Sequence, residues 1–112
     1  MKKVVVLNDE PLLHVALGLV LEKVQATIVH AADARAFEAA LDADVAAVII
    51  DGAMKNAGAA IETLKKKAPA AGLVLINAAQ PPAGFAHAFA SAEPYTDREK
   101  IADFVRTRVG VT

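Results

Sequence analysis

The apolar residues of this chain are grouped in short runs that alternate with longer amphipathic segments. Each run is apolar at almost every position, is rich in β-branched residues and stops at a polar or turn-forming residue. Strands that are buried on both faces have this composition, and a parallel sheet covered by helices contains such strands. We therefore predict strands at 3–8, 26–30, 45–50 and 72–77, and a weaker one at 87–92.

The segments between the predicted strands carry apolar residues at helical spacing. They predict helices over 11–24, 33–41, 57–67 and 96–109. Asp33 is a predicted N-cap, and the stretch TDRE at 96–99 has the pattern of a capping box. Three consecutive lysines at 65–67 suit the negative end of the helix dipole and are interpreted as a solvated helix end.

The segment between Asn77 and Glu93 is short for the elements that it must contain. Residues 78–92 are only 15 residues, which must form two loops, a helix and a strand. Pro81, Pro82 and Gly84 all disfavour a helix there. We expect the fourth helix to be short or irregular.

The alternation of strands and helices predicts an α/β domain, with a parallel sheet covered by helices on both faces. In such sheets the functional cleft lies at the carboxyl ends of the strands, where the strand order reverses. The strand ends of this chain carry polar or acidic residues, namely Asn8, Asp9, Asp51, Asn77 and Glu93. We expect these side chains to meet at one edge of the sheet.

Length, composition and charge narrow the class of protein. The chain has 112 residues, of which 55% are hydrophobic and 22% charged, with a net charge of −1. We expect one soluble domain over residues 1–112 without an output domain, and no general attraction to nucleic acid or anionic membranes. The absence of cysteine excludes disulfides and thiolate metal sites. The N-terminal apolar run is too short for a signal peptide or a membrane span, so a cytoplasmic protein is expected.

Four stretches of the sequence carry a resemblance to a known family. They are VVVLNDEP (4–11), VIIDGAMK (48–55), LVLINAA (73–79) and AEPYT (92–96). In this order they resemble the receiver domain of two-component response regulators, and the resemblance covers essentially the whole chain. It implies a flavodoxin-like, doubly wound sheet of five parallel strands in the order 2-1-3-4-5.

The resemblance also implies a phosphorylation pocket. It places Asp51 at the phosphoacceptor position, with Asn8 and Asp9 at the two positions of the family's acidic pair. Mg²⁺ is the cofactor of such a pocket, and here it would be held weakly by Asp9, Asp51 and the backbone carbonyl of Ala53. The receiver reaction forms an aspartyl phosphate, which requires cations because a carboxylate and a phosphoryl group repel each other.

Three of the five pocket positions depart from the family's pattern. Asn8 replaces an acid, Asn77 replaces a serine or threonine, and Glu93 replaces the lysine that clamps a phosphoryl oxygen. Ala78 and Pro94, which follow the last two, keep the pattern. An acid facing the cleft would repel the phosphoryl group, since two charges about 4 Å apart interact by roughly 4 kcal/mol at an effective dielectric near 20. We expect phosphorylation to be impaired or lost.

Several pocket residues have a plainer interpretation as well. Lys55 stands where the family usually has proline and is interpreted as a solvated loop lysine, with pairing to Glu93 or substitution for the missing amine as the alternative. Asp9 could cap the first helix instead of holding a metal. Glu93 could point to solvent, and Asn77 is interpreted as structural rather than catalytic.

Two further features of the sequence bear on partners. The first helix is apolar nearly all round, which is consistent with a homodimer contact or a partner surface, or simply with a covered sheet. His14, His30 and His87 lie on different elements without metal-ligand spacing, and are interpreted as ordinary surface or semi-buried residues.

These observations favour a stand-alone, receiver-like signalling module that is not an enzyme. It would act through contact with a protein, such as a histidine kinase, a phosphotransfer protein or a downstream effector, with phosphorylation of Asp51 impaired or lost. Two alternatives remain open from the sequence. One is a functional phosphoacceptor that uses Mg²⁺ and Asp51, and the other is a small domain that binds a divalent metal or another ligand in its acidic cleft.

Overall fold

The computed structural model describes residues 2–110, which form one parallel sheet with helices on both of its faces. The strands are β1 (Lys3–Leu7), β2 (Thr27–Ala31), β3 (Val45–Asp51), β4 (Gly72–Ile76) and β5 (Ala88–Ser91). The helices are α1 (Pro11–Leu21), α2 (Ala34–Ala40), α3 (Ala57–Lys67) and α4 (Arg98–Val109). The strand order is β2-β1-β3-β4-β5, so the predicted fold is confirmed.

The sheet is buried on both faces, which explains why its strands are apolar at consecutive positions. Helices α1 and α4 cover one face, and α2 and α3 cover the other. Along β1, Val4 and Val6 pack on the α1 and α4 side, whereas Val5 and Leu7 pack on the α2 and α3 side. All seven residues of β3 are buried, because this strand lies in the middle of the sheet.

The N-termini of the helices test the capping predictions. Asp33 caps α2 as predicted, because its carboxylate accepts a hydrogen bond of 2.8 Å from the backbone N–H of Ala36. The N-cap of α1 is Glu10 rather than Asp9, and its carboxylate accepts bonds from the N–H groups of Leu12 and Leu13. Glu10 therefore takes the capping role, and Asp9 is left exposed beside the strand ends.

The capping box predicted at 96–99 does not form. Helix α4 begins at Arg98, and its N-cap residue, Asp97, makes no side-chain capping bond. The Asp97 carboxylate instead accepts a bond of 2.8 Å from the hydroxyl of Ser91, at the end of β5. A tertiary contact has thus replaced the local capping bond.

Residues 77–87, between β4 and β5, contain no helix, so the expected short or irregular helix is replaced by a loop. The loop covers the α2 and α3 side of the sheet with Phe85. The ammonium group of Lys65, on α3, lies 5.6 Å from the centre of the Phe85 ring, in cation–π geometry. Gly84 has a φ of 93°, a backbone conformation that glycine adopts without strain.

The edge strand β2 meets α1 through two histidines. His30 pairs in register with Val6, so its side chain lies on the face that α1 covers. Its ring centre is 3.9 Å from that of His14 on α1, and the two ring planes are tilted by 43°. Although His30 is exposed, partial desolvation of its ring against α1 lowers its pKa below 6.5, and the charge of His14 lowers it further.

This lowered pKa predicts a loss of stability in mild acid. In the unfolded chain His30 takes up its proton near pH 6.5, whereas in the folded chain it does so only at a lower pH. The unfolded state therefore binds more protons between these two values, and the free energy of unfolding should fall as the pH drops through that window. Urea unfolding at a series of pH values should show this fall, and His30→Asn should reduce it.

The exposed residue His87 provides the matched control for this prediction. His87→Asn should leave the pH profile of the parent protein unchanged. A profile that is equally steep in the parent and in His30→Asn would contradict the prediction.

No helix within residues 2–110 combines the length and the apolar composition that crossing a membrane requires.

Candidate functional site

The carboxyl ends of β1, β3 and β4 bring three of the predicted pocket residues together. Asp51 is the last residue of β3 and is only 4% exposed, and Asn8 and Asn77 directly follow the neighbouring strands β1 and β4. The registers Leu7 to Ile50 and Ile76 to Asp51 align these strand ends. Asn8, Asp51 and Asn77 therefore meet at one edge of the sheet, whereas Glu93 does not join them.

Both carboxylate oxygens of Asp51 accept hydrogen bonds from amide groups. The side-chain amide of Asn8 donates to Oδ2 at 3.0 Å, and that of Asn77 donates to Oδ1 at 2.9 Å. The backbone N–H of Ala53 also donates to Oδ1, at 2.9 Å. A buried carboxylate is costly unless its oxygens are paired, and here three neutral amide donors do the pairing.

Asn77 reaches Asp51 from an unusual backbone conformation. Its φ is 56°, in the left-handed region, where asparagine is among the few non-glycine residues found with any frequency. The next residue, Ala78, donates its N–H to the carbonyl of Ser91 in the neighbouring strand at 3.2 Å. The turn at Asn77 thus directs the amide to Asp51 while the chain stays bonded to β5.

Asn8 is almost completely buried, and its two polar side-chain atoms differ in their surroundings. Its Nδ2 atom is bonded to Asp51, but within residues 2–110 its Oδ1 atom has no hydrogen-bond partner. Its backbone N–H donates to the carbonyl of Ala31 at 3.1 Å, which fixes the chain at the end of β2.

A cleft of about 360 Å³ lies in front of Asp51. Its lining residues are Asp9, Glu10, Leu13, Asp51, Ala53, Met54, Asn77 and Tyr95. Three of these are acids, and within the described part of the chain no lysine or arginine lines the cleft. We call this space the acidic cleft.

Five residues predicted to line the pocket are not among those that line the acidic cleft, namely Asn8, which contacts Asp51 from within the fold, and Lys55, Ala78, Glu93 and Pro94. Glu93 is exposed, and within residues 2–110 its carboxylate forms no ion pair, so it does not pair with Lys55. Lys55 is exposed too, whereas Pro94 is buried. The charge of Glu93 therefore acts from outside the cleft.

Two residues that the sequence did not single out, Glu10 and Tyr95, contribute to the acidic cleft. The pKa of the Tyr95 phenol is raised, first by desolvation and then by the charge of Glu10 and a hydrogen bond to its carboxylate. Tyr95 also borders a second groove of about 340 Å³, which α1 lines with Ala16, Leu19 and Val20. The sequence could have indicated both residues, because each directly follows a predicted pocket residue: Tyr95 follows Pro94, and Glu10 follows Asp9.

The donor atoms at the cleft fit a magnesium ion only in part. Asp9, Asp51 and Ala53 all border the cleft, and Mg²⁺ is commonly held by one or two carboxylates with water and phosphate oxygens. Within residues 2–110, however, no three histidine, aspartate or glutamate side chains are grouped as a metal site would require. Glu10 is occupied as a helix cap, and Asn8 supplies an amide where an acid would bind the ion.

No protein-family model and no curated protein matches this sequence. Several solved structures match its fold. The chain is 15% identical to a response regulator receiver domain protein from Clostridium thermocellum, with a TM-score of 0.72, and the match covers 98% of this chain and 95% of that one. It is also 15% identical to the receiver domain of a sensor histidine kinase from Pseudomonas aeruginosa, with a TM-score of 0.67 and 98% of each chain covered. That structure has a magnesium ion coordinated in its active site cleft.

A solved structure with a different name also matches this fold. An adenylate cyclase from Rhodopirellula baltica is 10% identical, with a TM-score of 0.69 over 96% of this chain and 89% of that one. At these identities the matches show the fold, which is the five-stranded parallel sheet of response regulator receiver domains. The resemblance noted in the sequence is thereby confirmed for the fold.

Proposed function

We propose that this chain is a receiver-like signalling module of a two-component or phosphorelay system, with phosphorylation of Asp51 impaired or lost. The observation that carries the proposal is the environment of Asp51. Three neutral amide donors hold its carboxylate, and two further acids border the cleft in front of it. The module is not an enzyme, resides in the cytoplasm and acts by contact with a protein.

The hydrogen bonds at Asp51 oppose its action as a nucleophile. Oδ1 accepts two bonds, from Asn77 and Ala53, which uses both of its lone pairs. Oδ2 accepts one bond from Asn8 and keeps one lone pair. A carboxylate oxygen must attack phosphorus with a free lone pair, so each donated bond stabilises the resting carboxylate and raises the barrier.

The charge in the cleft opposes the same reaction. Phosphoryl transfer relies on cations that neutralise the charge developing on the phosphoryl oxygens. Asp9 and Glu10 place negative charge beside Asp51, and the nearest cation in sequence, Lys55, lies outside the cleft. Mg²⁺, if held weakly by Asp9 and Asp51, would supply one of these cations, and no lysine or arginine that lines the cleft within residues 2–110 would supply the second.

A surface on α1 supports action through a protein partner. Leu12, Val15 and Leu19 on this helix are large apolar side chains that are 73%, 58% and 66% exposed. Tyr95, which is half exposed, lies against the groove that α1 borders. Exposed apolar patches of this kind commonly mark protein interaction sites. The partner is a histidine kinase, a phosphotransfer protein, a downstream effector or a second copy of the chain.

Incubation with a small phosphodonor and Mg²⁺, followed by intact mass measurement, tests the fate of Asp51. We expect no stoichiometric addition of a phosphoryl group, because losing a cation clamp worth roughly 4 kcal/mol slows transfer by about three powers of ten. Glu93→Lys should leave this result unchanged, since Glu93 does not line the cleft. A stoichiometric mass gain that Asp51→Asn abolishes would establish a functional phosphoacceptor instead.

A further inference from the structure

A third cavity, of about 360 Å³, lies at the N-terminal turn of α1. His14 lines this cavity together with Asn8, Asp9 and Glu10. The Oδ1 atom of Asn8 is buried and, among residues 2–110, has no hydrogen-bond partner. His30 is not among the residues that line this cavity, but its ring lies against that of His14 at the cavity's edge.

His14 on α1 and His30 on β2 form a close pair of side chains. Their ring centres are 3.9 Å apart, although 15 residues separate them in the sequence and they belong to different elements. Both side chains are exposed, so their rings can turn about the outer side-chain bonds at little cost. A small rotation would point one nitrogen of each ring toward a common point beside the helix.

We propose that His14 and His30 bind a divalent transition metal ion of the Zn²⁺ type. Neutral imidazole nitrogen is a preferred ligand of such ions, whereas Mg²⁺ prefers carboxylate and water oxygens. Each neutral imidazole ring has one nitrogen lone pair that can bind a metal ion, and the two rings are already close together. Within residues 2–110 no third histidine or acid completes a three-residue set, so water fills the remaining positions.

The bound ion would cross-link α1 to the edge strand β2. These two elements border the sheet beside the exposed apolar side chains of α1, so the metal would stiffen the helix that carries the proposed partner surface. The two ligands of the metal site do not include Asp51 and do not line the acidic cleft. The proposal is therefore independent of the proposed signalling function, and either one can fail without the other.

Zn²⁺ binding to tag-free protein tests the site, measured by competition with a chromophoric chelator. We expect one Zn²⁺ per chain, with affinity at least about tenfold weaker in His14→Asn and in His30→Asn, since loss of a ligand costs no less than loss of its supporting contacts. His87→Asn, which removes an exposed histidine at the other end of the sheet, should bind as the parent does. Millimolar Mg²⁺ and the variant Asp51→Asn should leave Zn²⁺ binding unchanged.

A nuclear magnetic resonance titration separates loss of a ligand from loss of the fold. Zn²⁺ should shift the imidazole signals of His14 and His30 in the parent protein and leave those of His87 in place. Equal affinity in the parent and in the double variant of His14 and His30 would overturn the proposal. Displacement of Zn²⁺ by Mg²⁺ would overturn it too, because the ion would then sit at the carboxylates of the acidic cleft.

Discussion

Asn8→Asp should lower the free energy of unfolding by about 4 kcal/mol in metal-free buffer at neutral pH. The substitution replaces an amide that donates to Asp51 at 3.0 Å with a second carboxylate in the same buried place. Two such charges repel by roughly 4 kcal/mol at an effective dielectric near 20. The penalty has a ceiling of similar size, because protonating one acid with an ordinary pKa near 4 costs about 4 kcal/mol at pH 7.

Urea unfolding with a chelator and with millimolar Mg²⁺ measures this effect. The destabilisation should shrink when Mg²⁺ is added, because a third carboxylate completes the donor set beside Asp9 and Asp51. It should also shrink in acid, where one of the two adjacent carboxyl groups takes up a proton. Asp9→Asn is the matched control, since it changes an exposed acid of the same cleft without placing a charge against Asp51. Full stability of Asn8→Asp in the presence of chelator would contradict the amide contact.

Asn77→Thr should destabilise the protein by about 3 kcal/mol, even though threonine is a residue that the family places there. The substitution puts a β-branched side chain at a φ of 56°, a strain of roughly 1–3 kcal/mol. It also removes the amide donor to the Asp51 carboxylate, and hydrogen bonds to charged groups contribute about 1.5–3 kcal/mol. Thermal and urea unfolding of the purified variant would measure the total.

Asn77→Gly separates the two contributions at this position. Glycine accepts the left-handed backbone without strain but supplies no side-chain donor, so its destabilisation should be about half that of threonine. If threonine and glycine destabilise equally, the backbone conformation carries none of the effect. If threonine is neutral, the left-handed turn at Asn77 is not a fixed feature of the fold.

The expected effects of these two variants follow from one arrangement of side chains around Asp51. Asn8 and Asn77 act together as the donors that make a buried Asp51 tolerable in the absence of a cation. Each reversion toward the family's residue removes one donor and adds either charge or strain. The two asparagines therefore belong to one arrangement, and under the proposed function a phosphorylatable Asp51 would require changes at several positions at once.

The fold could be predicted from the sequence because helices cover the sheet on both faces. Strands such as β3 must then be apolar at every position, and this pattern is hard to produce in any other way. The convergence of Asn8, Asp51 and Asn77 could be predicted for the same reason, since residues that follow adjacent parallel strands meet at one edge. The regular strands thus determine where these three residues lie in the site.

Side chains in turns escaped prediction, because their direction depends on contacts that the local sequence does not encode. Asp9 and Glu10 are adjacent acids that could each cap α1, and only the turn of the chain gives that role to Glu10. After β5 the chain leaves the regular alternation of a strand, so Tyr95 rather than Glu93 borders the cleft. The same is true of Asp97, whose partner Ser91 belongs to another element.

Contacts between segments far apart in the sequence were also not predicted. His14 and His30 look like isolated surface residues in the sequence, and only the packing of α1 on β2 brings their rings within 3.9 Å. The loop at 77–87 could be recognised as a poor helix from its prolines and glycine. Its covering role depends on Phe85 meeting Lys65 of α3, which local propensities do not reveal.

The position of Tyr95 has a practical consequence for spectroscopy. The chain contains one tyrosine and no tryptophan, so all of its tyrosine emission comes from a ring that borders both the acidic cleft and the groove along α1. A metal ion that binds in the cleft and a partner that binds to α1 would each change the environment, and therefore the emission, of Tyr95. The unlabelled protein therefore carries an optical reporter that both events must share.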